Sequence, residues 1–147
     1  MAERKRAGPL LKAFLALHVF LYRISKGRIG NRMRKAPVLL LTVKGRKSGK
    51  KLTFPLLYVT TDKGYAVVAS FAGAPQNPAW YLNLEAAKAA EIQIGGSRIR
   101  VRAETVEPNG ERYRRLWDEA AALYPDYNAY RTRTTRTIPI VELVPAS

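Results

Sequence analysis

The chain has 147 residues, 47% of them hydrophobic and 10% aromatic, enough for one folded domain with a real core and too apolar for a disordered chain. It has no cysteine and a single histidine, His18, which excludes disulfides, thiolate catalysis and a histidine-rich metal site and makes a reducing cytoplasm the default compartment. The formal net charge is +15: the 15 Lys and Arg residues between Arg4 and Thr61 meet no acid, whereas from Asp62 onward 11 bases nearly balance 10 acids, an asymmetry that points to a polyanionic partner such as phosphate groups, an anionic membrane or nucleic acid.

In chain order, PLLKAFLALHVFLYRISKGRIG predicts a helix ending near Gly27 or Gly30. Its longest uncharged run, AFLALHVFLY, is ten residues, against the ~20 that span a bilayer. At about 100° per residue Lys5, Lys12, Arg23 and Lys26 fall near one face, away from most of Leu11, Phe14, Leu15, Leu21 and Tyr22. That pattern suits a helix lying in a membrane interface, and equally one docked on its own domain. His18 reads as a helix-face residue.

A basic connector, NRMRKAP, leads into β signals at about 38–44, 51–61 and 65–70, with DKG as the tight turn between the last two. ASFAGAPQNP is a loop. PAWYLNLEAAK predicts a helix with Asn77 as N-cap and Pro78 at its first position. EIQI-GGS-RIRVRAETVE is a second hairpin, in which alternating arginines mark a strand with one wet face. An amphipathic helix over Glu111–Leu123 and a closing strand, TIPIVELV, complete the chain. About six mostly antiparallel strands with flanking helices imply an α+β domain built on a small barrel. The expected division is a basic amphipathic N-terminal helix and connector over 1–35, then a barrel domain over 36–147.

Three stretches could carry chemistry. In GRKSG two glycines let backbone N–H groups converge as in an anion-binding nest, while Arg46 and Lys47 add charge and Ser48 a hydroxyl donor. A plain hairpin with exposed basic residues is the alternative reading. VASFAGAPQNPAWYLNL places a strand end, a glycine loop and a helix start together, a good seat for a flat or anionic ligand. Trp80, Tyr81, Leu82 and Leu84 read as core there, leaving Ser70 and Asn83 as the polar side chains of interest. In LYPDYNAY, Tyr124, Tyr127 and Tyr130 share a helical face, either lining a pocket or rimming a half-buried helix.

In their order and spacing, APVLLLTVKGRKSGK, NPAWYLNL, YPDYNAY and RTIPIVELV together resemble the deazaflavin-dependent nitroreductase family, and the amphipathic N-terminal segment is similar too. The resemblance implies a split β-barrel of the FMN-binding-protein type and the activity of an actinobacterial oxidoreductase that can be membrane-associated. The implied cofactor is coenzyme F-420, an 8-hydroxy-5-deazaflavin with a phospholactyl-polyglutamate tail, with FMN as the alternative. Arg46, Lys47, Ser48 and Gly49 would hold the phosphate or acidic tail. Pro55, Ala69, Ser70, Ala72, Gly73, Trp80 and Asn83 match the positions lining the deazaflavin groove. Tyr124, Tyr127 and Tyr130 match the tyrosines around the substrate and, with Ser70, form the catalytic set; no metal is implied. The substrate class is a small hydrophobic acceptor (quinone, nitroaromatic or enone).

Three positions depart from that family: Phe71 replaces a frequent lysine or asparagine, Leu52 a frequent arginine, and Thr135 an aspartate. Relatives that bind fatty acids make a non-catalytic lipid-binding or membrane-surface protein on the same fold the alternative function. Nucleic-acid binding, favoured only by charge, lacks a recognition-helix pattern and is not expected. The expected location is cytoplasmic, peripheral on the inner face of the plasma membrane.

Overall fold

The computed structural model describes residues 8–33 and 36–146; Lys5 and the Arg34–Lys35 pair lie outside them. The long apolar run VLLLTV forms the central strand. β2 (Ala36–Lys44) pairs antiparallel with both β3 (Lys51–Leu57) and β6 (Ala89–Ile94). Val38, Leu39, Leu40 and Leu41 are all buried because both faces of this strand are covered, which explains the unbroken hydrophobicity. The short β1 (Arg32–Met33) adds to its start.

The remaining strands are β4 (Val59–Thr60), β5 (Tyr65–Val68), β7 (Ser97–Thr105) and β8 (Ile140–Pro145). The eight strands form one antiparallel sheet in the order β1-β2-β6-β7-β8-β5-β4, with β3 on the other edge of β2. The sheet curls into a split β-barrel, and β3 approaches β5 across its open side. Pro55 lies on β3, an edge strand, where its missing N–H is tolerated.

The expected six strands become eight among the described residues for two reasons. The stretch 51–61 changes partner at Tyr58, so β3 pairs β2 while β4 pairs β5. Part of the basic connector also pairs, as β1. The strand expected over 65–70 ends at Val68, where the chain turns into a 3-10 turn, Phe71–Gly73.

Four helices flank the sheet: α1 (Pro9–Ile24), α2 (Ala79–Ala87), α3 (Glu111–Leu123) and α4 (Asp126–Thr132). The bounds of α3 agree with the sequence reading. At α2 the cap differs: Pro78 is the N-cap, and Asn77 instead accepts a hydrogen bond from Arg136 Nη1 at 2.8 Å. Inside the barrel, Leu39, Leu41, Val67, Ile92 and Leu143 pack with Trp80 and Leu84 of α2. On the outer face, Leu116, Trp117 and Ala120 of α3 and Tyr127 of α4 cover Ala66, Val68 and Ile140.

The C-terminal half of α1 docks on this sheet. Tyr22 is fully buried; its hydroxyl lies 3.1 Å from Val38 O and 3.2 Å from Gln93 O and accepts from Gly95 N–H at 3.0 Å. Gly27 (φ 80°) approaches Gly95 so closely that a Cβ would stand 2.5 Å from the Gly95 Cα. Arg23 reaches Thr53 Oγ1 at 2.9 Å, and His18 Nε2 lies 2.7 Å from Gly30 O. Among the described residues no helix is long and apolar enough to cross a membrane.

Candidate active site

The β2–β3 turn is where the basic motif lands, and its glycines make the reversal: Gly45 N–H donates to Lys50 O at 2.8 Å and Gly49 N–H to Gly45 O at 2.9 Å. Arg46 is tied to α2. Its backbone N–H (3.2 Å) and its Nη1 (2.7 Å) both donate to Oδ1 of Asn83, which is 3% exposed. Three amides of the expected nest therefore have partners within the protein, and the turn offers its charge chiefly through side chains. The Ser48 hydroxyl accepts from Lys50 N–H at 3.2 Å.

This turn lines an open groove of about 1240 Å³. Leu52, Phe54, Pro55 and Leu56 of β3, Trp80 and Asn83 of α2, and Phe71 and Pro78 from the loop before α2 line it. Leu11, Lys12 and Leu15 of α1 also line it. Lys12, Arg46 and Lys47 put three cations on the lining and no acid opposes them. A largely apolar groove with cations and no acid on its lining fits a ligand that joins an apolar body to an anionic group.

Of the residues anticipated from the sequence, Arg46, Lys47, Ser48, Pro55, Trp80 and Asn83 line this groove. Gly49 belongs to the same turn, at φ 72°. Ala69 is fully buried in the barrel core, and Ser70 is 8% exposed with its carbonyl accepting from Gly73 N–H. Ala72 (φ 52°) and Gly73 form the turn beside the groove.

The three tyrosines do come together, outside the groove lining. Ring centroids of Tyr124 and Tyr127 lie 5.1 Å apart, and the Tyr124 and Tyr130 hydroxyls are separated by 3.3 Å. Tyr124 and Tyr127 border a second, small cavity of about 10 Å³, with Leu57 and Tyr58 opposite, room for about one water. Burial pushes the Tyr127 hydroxyl well above the usual phenol range, and Tyr124 and Tyr130 add to the shift, so it is a neutral donor at physiological pH. The 3-10 turn bridges the two sites: Phe71 lines the groove, and Gly73 lies against Tyr130 so tightly that a Cβ would come within 2.7 Å of its carbonyl oxygen.

The α1 wall is not legible in the sequence, where Lys12 reads only as part of an amphipathic face, nor are Phe54 and Leu56 legible there as groove lining. Strand alternation gave no sign of either.

The family model described as F420H(2)-dependent quinone reductase matches residues 15–145. This protein belongs to that family. Among curated relatives of this quinone reductase family member, an F420H(2)-dependent quinone reductase of Mycobacterium tuberculosis is 40% identical over 131 residues, 88% of each chain. A solved structure named F420-H2 dependent reductase is 38% identical with a TM-score of 0.66, covering 73% of this chain and 93% of that one. Another, solved as a domain-swapped dimer, is 30% identical with a TM-score of 0.69, covering 91% and 96%. The resemblance seen in the four sequence blocks thus holds at the level of family and fold.

Proposed function

We propose that this protein transfers a hydride from reduced coenzyme F-420 to a quinone. The observation that carries this is the groove itself, largely apolar and lined by Lys12, Arg46 and Lys47 with no acid, on a chain of the quinone reductase family. The donor set fits the coenzyme: cations and a serine hydroxyl for phosphate and carboxylates, an apolar bed for the ring. When bound, the coenzyme supplies the hydride.

The chain supplies the rest. Lys47 and Arg46 hold the acidic tail, with Ser48 and Gly49 completing the turn. Pro55 and Trp80 face the ring, and Ala69, Ser70, Ala72 and Gly73 support the seat from the strand end and turn beside the groove. The paired hydroxyls of Tyr124 and Tyr130 orient the acceptor and donate a hydrogen bond to its oxygen as charge develops there, while Tyr127 backs them as a buried neutral phenol.

The exposed face of α1 extends this reading to a membrane surface. Leu10, Phe14, Leu17 and Ile24 are 88, 63, 54 and 62% exposed, and the exposed Lys26 and Arg28 follow just beyond the helix end. An apolar stripe with cations at its end seats in the interface of an anionic bilayer, where apolar quinones partition. Replacing Phe14 and Leu17 by serine is expected to release the protein from anionic vesicles; equal sedimentation of both forms would return this face to water.

The coenzyme reading is tested by titrating the protein with oxidised coenzyme F-420 and, in parallel, FMN, following tryptophan fluorescence. Micromolar binding of the deazaflavin is expected. Binding of FMN alone would change the cofactor, and binding of neither would leave a lipid-binding protein on this fold.

A further inference from the structure

The loop joining β5 to α2 bends through three successive left-handed residues, of which only the last is glycine. Phe71, Ala72 and Gly73 have φ of 45°, 52° and 77°. The first two carry a Cβ that disfavours this region, and such a turn persists only where its surroundings hold it.

The holding group comes from far along the chain. Arg136 donates from Nε to Ala74 O at 2.9 Å, from Nη1 to Asn77 Oδ1 at 2.8 Å, and from Nη2 to Ser70 O at 2.8 Å and Ala69 O at 3.4 Å. All four acceptors are neutral oxygens of this one loop, and they bracket the turn on both sides. A planar guanidinium can reach such a set at once, whereas an ammonium cannot match its fork. The turn carries Phe71 onto the groove lining and leads into Pro78 beside it. Arg136 itself does not line the groove.

We infer that Arg136 is a positioning residue for the coenzyme groove: it fixes the Phe71–Gly73 turn and so sets the wall that Phe71 and Pro78 form. This role rests on reading the groove as the coenzyme site.

The test compares wild type with Arg136→Gln, Arg136→Lys and the double change Arg136→Gln with Ala72→Gly. Amide hydrogen exchange is measured without ligand, then binding of oxidised coenzyme F-420, then turnover. Arg136→Gln is expected to speed exchange over 70–77 by about tenfold while β2 and β6 stay protected. It should raise the coenzyme KM by about fivefold and lower kcat less. Arg136→Lys should recover little of either effect. Adding Ala72→Gly should restore part of the binding, since glycine adopts the left-handed conformation unaided.

Unchanged exchange over 70–77, or an unchanged KM with only a lower Tm, overturns the inference. Wild type that fails to bind the coenzyme sinks the proposed function, and the exchange data then decide alone whether Arg136 fixes the turn. Where Arg136→Gln does not fold, Asn77→Ala removes one of the four contacts, and unaltered exchange over 74–77 overturns the inference.

Discussion

Asn83 is buried, and its Oδ1 accepts from both the backbone and the guanidinium of Arg46. The side chain that the sequence marked as a cofactor contact therefore also moors the basic turn to α2. Asn83→Ala should cost about 1–2 kcal/mol in urea denaturation, because the Arg46 donors lose a shielded acceptor. It should also weaken coenzyme binding by about fivefold as the turn loosens; unaltered affinity would separate the turn from the site. A second buried polar group lies off the groove lining. Glu142, 2% exposed, is bridged by Arg112 through Nε to Oε1 and through Nη2 to Oε2 at 2.7 Å, with Thr61 donating at 3.1 Å. The Arg112 hydrogen bonds hold its carboxyl below the ordinary range, burial opposes them, and Thr61 adds to the lowering. The folded pKa is depressed, so this stabilisation is present above the unfolded value of about 4.3 and is lost as pH falls through the folded value. Glu142→Gln should lower neutral-pH stability by about 3 kcal/mol and flatten the acid limb of the Tm–pH curve; an unchanged acid limb would assign it to other carboxylates. At this scale the sequence singled out Arg46, Lys47, Ser48 and Asn83, and all four line one groove. It could not show that Asn83 Oδ1 is engaged by Arg46, because hydrogen bonds across 37 residues leave no local pattern.

Among the elements, α1 has two halves of different character. Its C-terminal half is fastened by Tyr22, His18 and Arg23, while Leu10, Phe14 and Leu17 remain in water. The sequence left docking and membrane contact open, and the structure assigns docking to one end only. Tyr22→Phe keeps the ring but strips the hydroxyl from two buried carbonyls and the Gly95 amide, and should destabilise the protein by about 2 kcal/mol. Trypsin should then cut faster after Arg23; unchanged stability and cleavage would mean the hydroxyl does not anchor the helix. Strand and helix identities were legible because β2, the β6–β7 hairpin and α3 each carry one strong period. The split at Tyr58 and the strand Arg32–Met33 were not, since a change of strand partner is a tertiary event. Tyrosine spacing predicted one shared helical face; Tyr127 and Tyr130 lie on α4, whereas Tyr124 joins their cluster from the α3–α4 junction. It could not foretell that the cluster lies beyond the Phe71–Gly73 turn from the groove.

For the whole molecule, the charge asymmetry has a concrete destination. Lys12, Arg46 and Lys47 come from two separate stretches of the acid-free N-terminal part and converge on one groove. Because these charges are exposed, added salt should weaken coenzyme binding, and Lys47→Ala should lower affinity by about fivefold while shallowing that salt dependence. A salt-independent affinity would mean that the tail does not lie against these side chains. The most direct test of the central claim mixes reduced coenzyme F-420 and menadione with the protein and follows return of the oxidised coenzyme's visible absorbance. The predicted result is a rate proportional to protein, saturable in quinone and slowed by Asn83→Ala. Reoxidation no faster than without protein, or quinone reduction driven only by reduced FMN, would contradict it.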